Sequence, residues 1–304
     1  MTETQNGYQF IGYEALRDGS IVRIMLDRPD ARNAQNRGML VELDDAFRRA
    51  EADDAVKVVI LGGEGPMFSS GHDLGSEVAR DEYRNHPTSK IDGATRDGAE
   101  ARMLQEWHYY FENTRRWRNL RKITVAQVHG KVYGAGLMLM WACDLITAAE
   151  DTTFADVVGA RLGMCGLEYF AHPWEFGARK TKELLLTGDC MEVDEAHALG
   201  MVSKVFPADE LSDRTVEFAE RIAALPSMTA LMIKESVNQT QDNQGFYNSL
   251  NACFTLHQLN HSHWAEVHED GWPAARPEDG VPSWKDAPPI VPAQKTTVRA
   301  AEPA

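Results

Sequence analysis

The chain has 304 residues, enough for one large domain with a sizeable hydrophobic core. Its 46 acidic and 31 basic side chains give a net charge of −15, which argues against a broad nucleic-acid-binding surface but permits an anionic small ligand. The first residues lack the character of a signal peptide and no apolar run approaches the roughly 18 residues of a membrane span, so we expect no membrane association.

The first half of the chain alternates strand and helix patterns. Residues 21–29 and 56–65 predict strands, and the second is a continuous β-branched run of the kind that is buried on both faces. Apolar residues at helical spacing predict a helix over 38–53. Two further apolar runs, 123–130 and 144–151, predict strands. Helices between parallel strands indicate a layered α/β fold with right-handed crossovers.

Two segments depart from this alternation. Between residues 76 and 102 the sequence is dominated by charged residues and glycine, which is typical of a mobile lid or a disordered segment. A helix is predicted over 101–120, and helical patterns dominate from Arg179 onward. The proline-rich segment beyond Gly271 has few core candidates, so we expect it to be extended and partly disordered.

The cysteines show no pairing pattern. Cys143, Cys165, Cys190 and Cys253 have no CxxC spacing. We therefore expect reduced thiols, each a small hydrophobic side chain, in a cytoplasmic protein.

Two glycine turns carry the first sign of chemistry. In FSSGHDL, Gly71 permits a backbone conformation that could direct the N–H of His72 into a pocket. Later, Gly134, Ala135 and Gly136 precede an apolar helix. Two such N–H groups could hold a carbonyl oxygen and stabilise an enolate-like transition state, where one donor contributes roughly 3–4 kcal/mol. Taken singly, each turn is also consistent with a purely structural role as the connection between two elements.

Several motifs, taken in order, resemble the crotonase superfamily of enoyl-CoA hydratases and isomerases. The resemblance extends over residues 21–268 and rests on LDRPDARNAQ, VVILGGEGPMFSSGHDL, VHGKVYGAGLMLMWACDLITAAEDTTFAD and LLLTGDCMEVDEAHALGMVSKV. GLEYFAHPWEFGARK indicates a divergent branch rather than the hydratase prototype.

The resemblance implies a crotonase-like α/β spiral of ββα units with a C-terminal helical region. We assign residues 1–205 to the spiral core, with 76–102 as its lid, and 206–270 to a helical trimerisation region. Residues 271–304 form the extended tail. The expected assembly is a homotrimer or a dimer of trimers.

The implied ligand is an acyl-CoA thioester, whose carbonyl oxygen the N–H groups of His72 and Ala135 would hold. No separate cofactor is expected, because coenzyme A is part of the substrate. Arg28, Arg32 and Asn33 fall in the segment that lines the coenzyme A channel, where a guanidinium suits phosphate oxygens. Arg32 is equally consistent with a solvated surface charge. The other positions assigned to substrate binding are Ser70, Gly71, Asp73, Gly134, Met138 and His172.

The usual proton-transfer groups are missing. A hydratase of this superfamily uses two glutamates, one to direct water to the β-carbon and one to protonate the α-carbon. Met138 stands at the first position, and Val157, Val158 and Gly159 surround the second. Apolar side chains cannot transfer a proton.

Three ionisable residues lie close enough in sequence to compensate. Asp156 and Glu168 are the candidate catalytic acids, because a carboxyl group in an apolar pocket has a raised proton affinity. His172 is the third. Each has a structural alternative: Asp156 could cap a turn, Glu168 could pair with Arg161 or Arg179, and His172 could simply pack.

A histidine-rich stretch, HQLNHSHWAEVHED, contains His257, His261, His263 and His268. His257 and His261 share a helix face at the spacing of a metal pair. Without HExxH or a cysteine pair, surface or subunit contacts are the favoured interpretation, and no metal is predicted.

The sequence therefore predicts an enzyme of the enoyl-CoA hydratase/isomerase type, a lyase in which Glu168 or Asp156 protonates a thioester enolate. Other enolate chemistry (isomerisation, dehydration or thioester hydrolysis) remains an alternative. A catalytically silent acyl-CoA-binding protein is another, motivated by Met138.

Overall fold

The computed structural model describes residues 7–85, 98–283 and 285–293. A six-stranded sheet has the order β1-β2-β3-β4-β6-β9. Its strands are β1 (Ile11–Leu16), β2 (Ile21–Leu26), β3 (Val58–Gly63), β4 (Ile123–Val128), β6 (Leu145–Ala149) and β9 (Lys204–Phe206). β1 is antiparallel to β2, and every other neighbouring pair is parallel.

A second sheet of three strands lies beside the first. It contains β5 (Lys131–Tyr133), β7 (Thr153–Ala155) and β8 (Met191–Glu192) in the order β5-β7-β8. β5 and β7 are parallel, and β7 and β8 are antiparallel. An isolated bridge between Ser69 and Val132 joins β5 to the segment that follows β3.

Twelve α-helices surround the sheets in the described part of the chain. They are α1 (Arg37–Ala52), α2 (Glu77–Asn85), α3 (Gly98–Glu106), α4 (Asn113–Arg118), α5 (Gly136–Trp141), α6 (Val158–Leu162), α7 (His172–Phe176), α8 (Ala178–Thr187), α9 (Val193–Ala198), α10 (Leu211–Ala223), α11 (Ser227–Asn243) and α12 (Phe246–Val267). A π-helix, Trp107–Glu112, joins α3 to α4.

The core forms where the sheet packs against the helices. Every residue of β3 and β4 is buried, as expected for parallel strands covered on both faces. From α1, Leu40, Leu43 and Phe47 enter the same core. Each such side chain contributes about 1.5–3 kcal/mol when fully buried. The predicted parallel α/β fold is confirmed, and the helix predicted over 38–53 is α1.

The helices α2 and α3 form at the two ends of segment 76–102, so these ends are not structureless. Residues 86–97 lie outside the described part, and the lid stays a prediction. The reason that α2 forms is a tertiary contact that the charged sequence conceals. Glu82 of α2 is buried, and it accepts hydrogen bonds from Asn36 Nδ2 at 2.7 Å and from the N–H of Gly38 at 3.3 Å. These bonds anchor α2 to α1.

The proline-rich segment also has more contacts than its composition suggests. Cys190 donates its N–H to Val291 O, and Ala293 donates to Cys190 O, both at 2.9 Å. Ala274, Ala275 and Ala293 are the buried residues in the described part of this segment, and the expectation of few core residues stays a prediction. Alanine side chains are small enough to let two backbone segments approach closely, and a hydrophobicity pattern does not indicate such a contact. Residues 294–304 lie outside the described part.

None of the described helices is both long and apolar enough to cross a membrane.

Candidate active site

The two glycine turns meet in space. The segment after β3 runs alongside β5: Tyr133 donates its N–H to Ser69 O at 3.0 Å. Gly71 has a φ of +95°, and a Cβ placed there would lie 2.8 Å from the backbone nitrogen of Ala135. Only glycine permits this conformation and this approach.

Two backbone N–H groups lie beside this contact. Neither His72 nor Ala135 donates its N–H to another described residue. Both residues line one large cavity, which we call the central cavity. Two unpaired N–H groups at adjacent turns form the kind of site that holds a developing oxyanion.

The central cavity has a volume of about 1410 Å³. This exceeds the roughly 300–1,000 Å³ of pockets for drug-sized ligands, so a larger ligand fits. Its other walls come from the loop after α6, from α12 and from the proline-rich segment. Residues 287–290 and Pro292 line it, and Arg161 donates from Nη2 to Pro288 O at 2.7 Å.

Glu168 lies in the loop between α6 and α7 and lines the central cavity. Its Oε1 lies 3.6 Å from His72 Nδ1 and 3.7 Å from His257 Nε2, longer than hydrogen bonds. Its Oε2 is buried without a partner among the described residues. Burial raises the pKa of Glu168 to about 8, and the charge of Asp156 contributes in the same direction. Such a carboxyl group can transfer protons near neutral pH.

The ring of His72 is a second polar group in the cavity. It stacks on Tyr110 with the ring centroids 3.7 Å apart, and its Nε2 is buried without a partner in the described residues. Burial lowers the pKa of His72 to about 3, with a further contribution from His257. The imidazole is therefore neutral at physiological pH.

Beside Glu168, the structure brings together Glu106, His257 and His261. Glu106 ends α3, and the two histidines lie one turn apart on α12. All three line the central cavity. Burial raises the pKa of Glu106 to about 7, with Glu168 adding to it, and burial lowers the pKa of His261 to about 3. His257 is buried, contrary to the surface location favoured from the sequence.

Sequence reasoning missed Glu106 completely. About half the length of the chain separates Glu106 from His257 and His261, so no local spacing connects them. The only available signal was its position directly before the aromatic run that forms the π-helix, a type of element that often occurs at functional sites.

The structure places Asp156 and His172 in a separate pair. Asp156 Oδ2 lies 2.9 Å from His172 Nε2, and Oδ1 accepts the N–H of Val158 at 3.0 Å. Both residues are buried, and neither is among the described residues that line the central cavity. Asp156 thus makes the turn-capping contact that was its structural alternative, and its catalytic role stays a prediction.

The residues of the predicted coenzyme A segment also differ in whether they line the central cavity. Arg32 lines the central cavity, but Arg28 forms a partly buried ion pair with Asp73, Nη1 to Oδ2 at 2.9 Å. Asn33 is also buried, and its Nδ2 donates to the carbonyls of Glu64 and Met67. Arg28, Asn33 and Asp73 therefore shape the loop rather than line the cavity.

Of the remaining predicted substrate contacts, Ser70 and Gly134 line the central cavity, whereas Gly71 is not among the described residues that line it. Met138 is 2% exposed and packs in the hydrophobic core. Val158, at the second missing-glutamate position, lines the cavity.

The chain belongs to the enoyl-CoA hydratase/isomerase family, whose family model matches residues 17–267. This match includes both glycine turns, Glu168 and the two histidines of α12. The family assignment made from the sequence is confirmed, and so is the crotonase-like fold.

Two mycobacterial proteins are similar over most of their length. EchA13 of Mycobacterium tuberculosis, which carries the provisional name of enoyl-CoA hydratase, is 63% identical over 295 residues, covering 95% of this chain and 92% of that protein. A crystal structure of a probable enoyl-CoA hydratase from Mycobacterium smegmatis is 41% identical with a TM-score of 0.78, covering 88% of this chain and 99% of the other.

A third likeness extends beyond mycobacteria. The crystal structure of an enoyl-CoA hydratase/isomerase from Xanthobacter autotrophicus Py2 is 28% identical with a TM-score of 0.71, and the match covers 88% of this chain and 90% of that one.

Proposed function

We propose that this protein is an enzyme that converts acyl-CoA thioesters by chemistry of the enoyl-CoA hydratase/isomerase type. One observation carries the proposal: His72 and Ala135, whose backbone N–H groups have no acceptor among the described residues, line the same cavity as Glu168. Family membership supports the choice of ligand. The proposed reaction needs no separate organic cofactor, because coenzyme A enters as part of the substrate.

In the proposed hydration, the oxygen of water bonds to the β-carbon while the electron pair of the double bond moves toward the thioester oxygen. The N–H groups of His72 and Ala135 stabilise the negative charge on that oxygen. The α-carbon takes the proton of neutral Glu168, and the resulting carboxylate accepts the proton that the added water loses, which restores the acid. Glu168 is the proposed donor, because its Oε2 is buried at the cavity and is not committed to another described residue.

The test is loss of the conjugated-thioester absorbance when the purified protein meets 2-enoyl-CoA esters of increasing acyl size. The variant Glu168→Gln removes the acid at nearly constant volume. Glu183→Gln is the matched control, because Glu183 lies on the surface of α8 and pairs with Lys180. Turnover that is lost in the first variant and kept in the second would support the proposal.

Full turnover by Glu168→Gln would reject Glu168 as the donor and leave the reaction class in place. Binding of the esters without turnover by the unmodified protein would favour the silent acyl-CoA-binding protein. Turnover of 3-enoyl esters alone would favour double-bond isomerisation, the second candidate, for which one carboxyl group suffices to move a proton between carbons.

We also propose a homotrimer or dimer of trimers in the cytoplasm. Apolar side chains remain exposed on α11, including Met228, Ile233 and Val237, and could be covered by a second copy. The four cysteines are unpaired thiols, which suits a reducing compartment. Sedimentation equilibrium of the purified protein tests the assembly, and a monomer at micromolar concentration would reject it.

A further inference from the structure

Glu106, His257 and His261 form a compact cluster at the wall of the central cavity, where α3 meets α12. One ligand atom from each, a carboxylate oxygen and two imidazole nitrogens, can be chosen so that all lie within 4.8 Å of one another. Nothing in the proposed reaction requires this cluster.

Both imidazoles are held in one tautomer. His257 Nδ1 lies 2.8 Å from Gly166 O, and His261 Nδ1 lies 2.5 Å from Pro273 O. A carbonyl oxygen only accepts, so each Nδ1 carries the proton and each Nε2 presents a lone pair. A backbone carbonyl that accepts the distal N–H is the usual second contact of a metal-binding histidine.

The lone pairs converge on Glu106. Its carboxylate oxygens lie 3.7 Å from His257 Nε2 and 3.5 Å from His261 Nε2. These separations are too long for hydrogen bonds. They are close to the roughly 3.3 Å that separates ligand atoms bonded at about 2.0–2.1 Å to one tetrahedral ion. His257 Nε2 is buried and has no hydrogen-bond partner among the described residues.

We propose that Glu106, His257 and His261 bind a divalent transition-metal ion, and that zinc fits the site best. Two imidazoles and one carboxylate, with a fourth position open, make the ligand set of several catalytic zinc sites. The fourth position faces the central cavity, which all three residues line. The carboxyl group of Glu168 lies near Glu106, and so does the positively charged guanidinium of Arg102.

The experiment measures zinc binding directly and does not depend on turnover. Protein purified without a polyhistidine tag is stripped with a chelator and equilibrated with zinc, and bound metal is determined by plasma emission. We expect one ion per chain. Glu106→Gln and His261→Gln should each weaken binding by about 100-fold or more. His263→Gln, which alters an exposed histidine of the same helix, should leave it within about threefold.

Cobalt substitution tests the unmodified protein, so that a misfolded variant cannot decide the result. Intense visible absorption typical of four-coordinate cobalt, displaced by zinc, would support the site. Absence of stoichiometric binding, or affinity that is unchanged by both Glu106→Gln and His261→Gln, would overturn it. In the second case zinc would bind elsewhere, for example at the partly buried pair of His268 and Asp279.

Glu168→Gln separates this proposal from the proposed function. We expect that variant to lose turnover but to retain zinc with an affinity within about tenfold of the unmodified protein. Loss of turnover with no zinc binding in any form of the protein would reject the metal site alone. Zinc binding with turnover intact in Glu168→Gln would reject the proton donor alone.

Discussion

Two buried carboxyl groups, twelve residues apart in sequence, meet histidines in different ways. Asp156 has both oxygens hydrogen-bonded, and its contact with His172 is 2.9 Å. Glu168 lies 3.6 Å from His72 and 3.7 Å from His257, and one of its oxygens has no partner among the described residues. A carboxyl group whose lone pairs are committed stabilises a fold, whereas one left open at a cavity can exchange a proton or meet a ligand. The sequence alone made both of them candidates for the catalytic acid.

The largest expected effect comes from removing the open carboxyl group. Glu168→Gln should lower kcat by about 10²–10⁴-fold, the usual contribution of a general acid. Its unfolding free energy should change little near neutral pH, since the amide has nearly the size of the protonated carboxyl group and is likewise uncharged. Stopped-flow absorbance and urea denaturation measure the two quantities. An equal loss of kcat in Asp156→Asn would show that Asp156 and Glu168 do not differ in their contribution to turnover.

A second test asks whether the cavity beside Glu168 is where reaction occurs. Gly71→Ala should lower kcat by about 10²–10³-fold, because its Cβ would lie 2.8 Å from Ala135 N and displace an oxyanion donor. Gly245→Ala is the control: its φ is also positive, at +104°, but its Cβ would meet no atom within 4 Å, and it is not among the described residues that line the central cavity. Similar kinetics for both variants would place the oxyanion elsewhere.

The closed pair should matter for stability instead. Asp156→Ala leaves the Val158 N–H and the His172 ring without their acceptor, and each unsatisfied buried group costs about 1–3 kcal/mol. The midpoint of urea unfolding should fall accordingly. An unchanged midpoint would show that the pair does not stabilise the fold.

The smallest effect concerns Glu175, a partly buried carboxyl group outside the lining of the central cavity. Burial raises its pKa to about 7, although Arg118 opposes the shift. In the unfolded chain the group ionises near pH 4.3, so the wild-type protein loses stability as the pH rises from there to about 7. Glu175→Gln removes this loss, and its stability relative to wild type should increase from pH 5 to pH 8. A constant difference would show that the pKa of Glu175 is not raised in the folded protein.

How well the sequence predicts a feature of this molecule depends on how far apart in the chain the contacting residues lie. β3 and β4 follow from local β-branched runs, and the turn at Gly71 follows from its neighbours. Glu106 reaches His257 only through the packing of α3 on α12, which leaves no local signal. α2 was missed because a single buried contact, Glu82 with α1, outweighs a charged sequence.

The wall that residues 287–290 and Pro292 give to the central cavity has a consequence for chain entropy. Fixing an ordinary residue costs about 1–2 kcal/mol of backbone freedom, and the ring of proline has removed much of that freedom before folding. Pro288, Pro289 and Pro292 therefore let a segment without helix or strand hold its position at small entropic cost. A ligand that contacts this wall meets a surface that is already ordered.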